Sequence, residues 1–346
     1  MTNRLKTQNN TLNNIDRNAK LDLILKKVSR TFYLNTIRLR LPVRNYIMVS
    51  YLLCRFADTI EDAPNLNEQN KLKYLDVFHN LLWTISDRGL LEIKEIIKFI
   101  ECTDDERELL QNIDLIIREL ATFPFDIKFI LQTRISILIE GMKIYSTSTQ
   151  KHKVIKDMAD FDHYCYYVAG VVGEMISETF FTSSKHIDKS TFNKMFALSA
   201  EFGLGLQYVN IIKDLHKDYL RGWHYFPQDI AKKYNVTLEN FFDPKYQSNA
   251  ISALDELIHL AQNKLDKAME YTLYISTKEI SFRLFCLWPL FFALRTLKAV
   301  SNNKALLLQG KNIKITRFQV KFIIIITSIF SRSNFLLKLL YKYFSI

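Results

Sequence analysis

Only eight glycines and six prolines are spread over 346 residues. Tight turns consume both residue types, and an antiparallel β protein of this length needs many of them. So few turn formers point to long helices joined by few loops. The apolar periodicity agrees. Helical spacing runs over 18–27, 43–63, 67–86, 90–102, 104–122, 124–146, 157–181, 190–220, 247–274, 281–300 and 316–330. Pro42 fits the start of the second of these helices, and Pro64 stops it. Residues 221–226 and 310–316 read as a short hairpin or irregular loops. There is no β-α alternation and no GxGxxG or GxxxxGK pattern, which argues against the nucleotide folds those motifs mark. The expected fold is all-α, with a polar, Asn-rich leader over 1–17 and a single domain over 18–346.

The net charge of +11 calls for an anionic partner. Nucleic acid is not the expected one, because no zinc-finger, basic-zipper or RNA-sheet signature accompanies the scattered Lys and Arg residues. Cys54, Cys102, Cys165 and Cys286 lie far apart and form no CxxC pair, so buried free thiols in a reducing, cytoplasmic setting are expected. The N-terminus has no apolar run and does not read as a secretory signal. Residues 318–344 are apolar, but Lys321, Arg332, Lys338 and Lys342 interrupt them. No run reaches the roughly 20 residues a span needs. A final helix is expected there, mostly core, touching the membrane surface peripherally through its basic face. The 25 Phe, 17 Tyr and 3 Trp imply a thick core or an apolar cavity.

Two acidic patterns stand out. In Arg55-Phe-Ala-Asp-Thr-Ile-Glu-Asp62, Asp58, Glu61 and Asp62 are three and four residues apart and share one side of a helix. Arg55 and Tyr51 precede them on the same stripe. The run before them, from Ile47 to Cys54, is almost wholly apolar and therefore buried. Clustered carboxylates repel one another and favour a cation. Hard oxygen donors on adjacent turns suit Mg²⁺, which takes one or two carboxylates plus water and substrate phosphate. The second pattern is a polar stripe of Gln207, Asn210, Asp214 and Asp218 on a helix whose neighbouring face is Phe202, Leu206 and Val209. Polar groups on an apolar helix are costly unless satisfied. Arg30, Arg55, Lys213 and Lys217 lie in or near the two segments. Two such stripes facing each other across a cavity would hold Mg²⁺ and a diphosphate, with aromatic and aliphatic walls for a hydrocarbon tail.

The letters carry more than this pattern. The segments are Ser29-Arg-Thr-Phe32, Tyr51-Leu-Leu-Cys-Arg-Phe-Ala-Asp-Thr-Ile-Glu-Asp62, Tyr164-Cys-Tyr-Tyr-Val-Ala-Gly-Val-Val-Gly173 and Gly205-Leu-Gln-Tyr-Val-Asn-Ile-Ile-Lys-Asp214. Gly222-Trp-His-Tyr-Phe-Pro-Gln228 and Phe285-Cys-Leu-Trp-Pro289 follow. In order and spacing the chain, from about residue 20 to 320, resembles the squalene/phytoene synthase family, and its squalene synthase branch in particular.

That resemblance implies a single helical bundle around a deep central cavity, and a monomer is the expected state. It implies Mg²⁺-dependent head-to-head condensation of two farnesyl diphosphates to presqualene diphosphate, then reduction to squalene by NADPH. Residue by residue, Asp58, Glu61, Asp62, Asp214 and Asp218 match the metal motifs. Arg30 and Arg55 match residues that contact the diphosphates or the cofactor phosphate. Tyr51, Gln207 and Asn210 match substrate-cavity positions. Tyr164 matches the tyrosine of the first half-reaction, and Phe285 an aromatic near the carbocation path of the second. Lys213, Lys314 and Arg317 are the further cofactor-binding positions. Three departures stand out. Lys213 replaces an Arg and loses its bidentate fork. Lys217 stands where an acid is usual, and Thr316 where a second basic residue is usual. The chain also shows no C-terminal anchor of the kind the eukaryotic members carry, which fits a bacterial or archaeal type. The same resemblance admits a phytoene or dehydrosqualene synthase, which makes no hydride transfer. It also admits a non-catalytic assembly factor, in which metal carboxylates would be expected to be lost. All five are kept here.

Overall fold

Helices take up nearly all of the regular structure. The computed structural model describes residues 17–146 and 153–346, and contacts gather these into two compact units that divide after Ser146. Both are all-α, as expected from the sequence. The leader expected over 1–17 lies outside the described residues except for Arg17, which sits in the first helix and pairs with Glu119 at 2.6 Å.

In the first unit, α1 covers residues 17–28 and α2 Arg30–Thr36. They are followed by α3 (Val43–Asp62), α4 (Glu68–Trp83) and α5 (Asp87–Ile96). Then come α6 (Asp104–Gln111), α7 (Ile113–Ala121) and α8 (Phe125–Ser146). The central element is α3, which packs against α4, α6, α7 and α8. Its Leu52, Leu53, Phe56 and Ile60 are fully buried. Each such side chain contributes about 1.5–3 kcal/mol relative to exposure. Helix starts follow side-chain chemistry. Asn67 caps α4 and Ser86 caps α5. At α6, Thr103 and Glu106 form a reciprocal capping box that satisfies two otherwise orphaned N–H groups.

Two expectations need correction here, and one short helix was not expected. The helix expected over 90–102 starts at Asp87, and after Ile96 it tightens into a 3₁₀ turn over Ile97–Phe99. The helix expected over 104–122 breaks at Asn112, whose side chain donates to the Glu108 carbonyl and competes with the helical ladder. The seven-residue α2 has too few turns to show a periodicity.

In the second unit, β1 (Lys153–Val154) pairs in parallel with β2 (Trp223–His224). This two-residue bridge is what the region expected as a hairpin or loop becomes. Around it lie α9 (Met158–Cys165), α10 (Val171–Ser183), α11 (Lys189–Leu220) and α12 (Gln228–Lys233). α13 (Gln247–Tyr274) and α14 (Ile280–Ser301) complete the core of the unit. The chain ends in α15 (Lys304–Leu308), α16 (Arg317–Phe330) and α17 (Asn334–Phe344). α11, of 32 residues, is the spine on which α10, α13 and α14 pack. The helix expected over 157–181 is interrupted by a π turn at Tyr166–Gly170. Glycines make the approach there possible. A Cβ on Gly173 would lie 2.0 Å from the Ser199 carbonyl oxygen, and one on Gly203 would lie 2.1 Å from that of Ala169.

The final helix expected over 318–344 is two helices, α16 and α17, with a turn at Ser331–Ser333 between them, and both pack on α14. α11 and α14 are long and apolar enough to cross a membrane by length and composition, but 56% and 72% of their apolar windows are buried in the protein. The four cysteines are free, and Cys54, Cys165 and Cys286 are buried.

Candidate active site

The first acidic pattern occupies the last turn and a half of α3. Asp58 is half-buried, Glu61 is buried and Asp62 is exposed. The three carboxylates therefore grade from the packed flank of the helix to the open one instead of sharing one environment. Burial of the Asp58 carboxyl, opposed by Arg55 and reinforced by Asp62 and Glu61, pushes its pKa up to about 7. Upstream, the Tyr51 ring stacks on Phe32 of α2 with centroids 4.2 Å apart. Arg30 is the first residue of α2, and its side chain lies outside the described residues.

Arg55 lies between two carboxylates. Its guanidinium pairs with Glu106 of the α6 capping box and stands 3.9 Å from Asp58. Glu106 is 51 residues away along the chain, and nothing in the local pattern links it to Arg55. The Arg55 Nε is buried and has no hydrogen-bond partner. An orphaned donor of this kind, beside a partly desolvated carboxylate, fits an anion that arrives with its own cation.

The second pattern runs along the C-terminal half of α11. Gln207, Asp214 and Asp218 are half-buried and Asn210 is exposed, so the polar stripe read from the sequence is a real one. Lys213 Nζ stands 3.1 Å from Asp214. Burial first, and then the charge of Asp214, pushes Asp218 up to about 6, against the opposing Arg221, Lys217 and Lys213.

Among the described residues, no three His, Cys, Asp or Glu side chains converge closely enough to enclose a metal ion. Each stripe by itself offers open hard oxygen donors, and in each one carboxylate, Asp58 or Asp218, is made costly to ionise by burial. This is the donor chemistry Mg²⁺ uses when most of its other ligands are water and phosphate.

Tyr164, on the last turn of α9, is buried and stacks on Tyr225 with centroids 4.9 Å apart and 21° between the rings. Tyr225 lies in the Trp-His-Tyr-Phe-Pro segment just after β2, so the β1–β2 bridge delivers it to Tyr164. The π turn that follows α9 is a feature often retained at functional sites. Phe285 is buried and meets Phe180 edge-on at 5.8 Å, and Phe180 in turn stacks on Phe282 at 4.0 Å.

The loop before α16 carries Lys314, which is exposed. Arg317, also exposed, is the first residue of α16. Thr316 is the N-cap of that helix, in a capping box with Gln319. The residue that departs from the family pattern is thus engaged in starting a helix, and Arg317 follows it in helical rather than extended backbone. Gly310 opens the same loop at φ +77°, and a Cβ there would strike the His216 imidazole at 2.6 Å. The loop between α15 and α16 thus runs against α11 at His216, which is two residues from both Asp214 and Asp218 and leaves the helix on another side than they do.

Comparison with known proteins fits this arrangement. Residues 25–319 match the squalene/phytoene synthase family. The squalene synthase of Schizosaccharomyces pombe is 30% identical over 308 residues, covering 87% of this chain and 63% of that protein. The squalene synthase of Dictyostelium discoideum is 28% identical over 280 residues, covering 81% of this chain and 63% of that protein. The chain thus spans less than two thirds of the length of these relatives. A solved complex of TcSQS with the ligand E5700 superimposes with a TM-score of 0.79 at 25% identity, over 95% of this chain and 90% of that one. A solved dehydrosqualene synthase superimposes with a TM-score of 0.66 at 19% identity, over 92% and 97% of the two chains, a likeness of fold. The helical fold, the two carboxylate stripes and these matches define one class: the chain belongs to the squalene/phytoene synthase family.

Proposed function

We propose that this protein joins two farnesyl diphosphates head to head to presqualene diphosphate and reduces that intermediate to squalene. The observation that carries the reading is the retention of all five carboxylates on two helices, with Asp58 and Asp218 held at raised pKa values that a bound cation would relieve. Relatives called squalene synthases, matched over most of this chain, support the same reading. The retained carboxylates also speak against a non-catalytic assembly factor.

In this reading Asp58, Glu61, Asp62, Asp214 and Asp218 hold Mg²⁺, and Lys213, Lys314, Arg317 and Arg55 bind the phosphates of NADPH. When bound, the two groups supply charge neutralisation for the departing diphosphate and a hydride for the second step. Arg55 offers its Nε–H to a diphosphate oxygen while Glu106 fixes its direction. Arg30, Tyr51, Gln207 and Asn210 line the substrate path. Tyr164, held in plane by Tyr225, orients the departing diphosphate, or relays the proton lost from the coupling chain, its phenol oxygen accepting that proton as its own O–H proton passes to the departing diphosphate. Phe285 presents an aromatic ring whose negative face would stabilise developing positive charge.

A second reading, a dehydrosqualene or phytoene synthase without hydride transfer, draws on one observation. Thr316 caps α16 where a second basic cofactor contact is usual. The direct test of the shared first step is diphosphate release from farnesyl diphosphate. The proposal predicts release with Mg²⁺ and none with EDTA. Release that ignores EDTA would sink the role given to the carboxylates.

A further inference from the structure

All of the chain's net charge lies in its last fifth. From Ile280 to Ile346 there are eleven Lys and Arg residues and no Asp or Glu, which leaves the first 279 residues neutral. Among the described residues, only Lys304 of these eleven pairs with a carboxylate, Asp255 at 2.6 Å. Lys321, Arg332, Lys338 and Lys342 are exposed on α16, the turn and α17.

The same helices leave large apolar side chains in water. On α16, Phe318, Phe322, Ile325 and Ile329 are 77%, 46%, 60% and 66% exposed. Their spacing of 4, 3 and 4 puts them on one face. On α17, Phe335, Leu339 and Tyr343 are 70%, 50% and 74% exposed, at a spacing of 4. Fraying does not explain this, because the hairpin is clamped from behind. Ile323, Thr327, Leu337 and Phe344 are buried beneath it. Arg283 donates to the Ile275 carbonyl and to Asn334 Oδ1, both at 2.6 Å. Lys298 donates to the carbonyls of Tyr343 and Ser345, at 2.9 and 3.1 Å. Between the helices lies a pocket of about 420 Å³ lined by Arg295, Lys298, Gln319, Phe322 and Tyr343 among others.

We propose that the outer faces of α16 and α17 dock in the plane of an anionic phospholipid bilayer, with a headgroup phosphate received at Arg295 and Lys298. Charge complementarity selects this occupant. A second copy would bring two uniformly positive faces together. A nucleic acid would satisfy the charge but leave Ile325, Ile329 and Leu339 in water. An anionic bilayer takes both, with the apolar stripes at the acyl boundary and the basic groups at the headgroups. The inference does not depend on the enzymatic reading, because it is measured without substrate.

The test is sedimentation of the full chain with vesicles of phosphatidylcholine alone or with phosphatidylglycerol at about three parts in ten. Binding to the mixed vesicles is expected to be at least about tenfold tighter than to phosphatidylcholine, since each basic group near an anionic surface contributes. Salt of about 0.5 M, with a Debye length near 4 Å, should weaken it. Phe318→Ser, Ile325→Ser and Ile329→Ser combined should lose binding with helicity and Tm intact, because these side chains are exposed. Lys321→Gln, Lys338→Gln and Lys342→Gln combined should weaken the preference for phosphatidylglycerol, since each basic group near the surface contributes. Equal binding to both vesicle types, or wild-type binding by the serine variant, would overturn the proposal. So would light scattering that shows a dimer dissociated by the serine variant, together with no vesicle binding.

Discussion

Tyr208 on α11 donates its phenol hydrogen to Asp162 on α9. Tyr208 is fully buried, and Lys264 of α13 stands 3.6 Å from the same carboxylate and 3.1 Å from Glu201. Three helices thus meet at Asp162, two residues before Tyr164. This contact helps to hold α9, and with it Tyr164, against α11.

Tyr208→Phe should therefore misalign Tyr164 as well as weaken the fold. The expected stability loss is about 1.5–3 kcal/mol, that of a hydrogen bond to a charged group. The added expectation is a fall in kcat with KM for farnesyl diphosphate nearly unchanged. A variant that loses Tm but keeps kcat would make the contact purely structural.

Asp58→Asn and Asp214→Asn should each abolish diphosphate release while leaving the helical content intact. Asp58 has a second signature. Its folded-state pKa lies near 7 and its ordinary value is 3.8, so the folded state favours the protonated form. Stability that this group supports below about pH 4 is lost as pH rises toward 7, and no further above that. In EDTA, Asp58→Asn should melt above the wild type at pH 8, and the gap should close toward pH 4. The side chain is 39% exposed, which keeps the gap small. A wild type that melts above the variant at pH 8 would contradict the burial argument.

Gly173→Ala places a methyl group 2.0 Å from the Ser199 carbonyl oxygen, a backbone atom that cannot swing aside. α10 and α11 would have to part next to the π turn. A loss of about 1–3 kcal/mol is expected from overpacking, read by chemical denaturation. An unchanged midpoint would mean that the two helices are not held as closely as the structure has them.

Lys314→Ala should leave presqualene diphosphate formation intact and raise the NADPH concentration needed for the second step. An equal fall in both steps would make Lys314 a structural residue.

Much of this was legible in the residues. Scarce glycine and proline, long apolar periodicities and the punctuation by Pro42 and Pro64 mark the helices, because those signals are local. The carboxylate stripes were legible because i, i+3 and i+4 spacing fixes a shared face. Contacts across distance were not. Nothing near Arg55 announces Glu106, and nothing near Tyr164 announces Tyr225 or the Tyr208–Asp162 bond. The π turn is hidden because its extra residue shifts the apolar phase too little to break a periodicity read over 157–181. Thr316 looked like a missing charge because a capping role depends on where a helix begins. The division after Ser146 is marked only by a short polar run, Ser146-Thr-Ser-Thr-Gln-Lys-His152, which is no longer than an ordinary loop.

The most direct test of the central claim is identification of the products from farnesyl diphosphate and Mg²⁺, with and without NADPH. The account predicts squalene when NADPH is present and accumulation of presqualene diphosphate when it is absent. Dehydrosqualene or phytoene released regardless of NADPH would contradict the hydride step. No condensation product under either condition would contradict the whole reading.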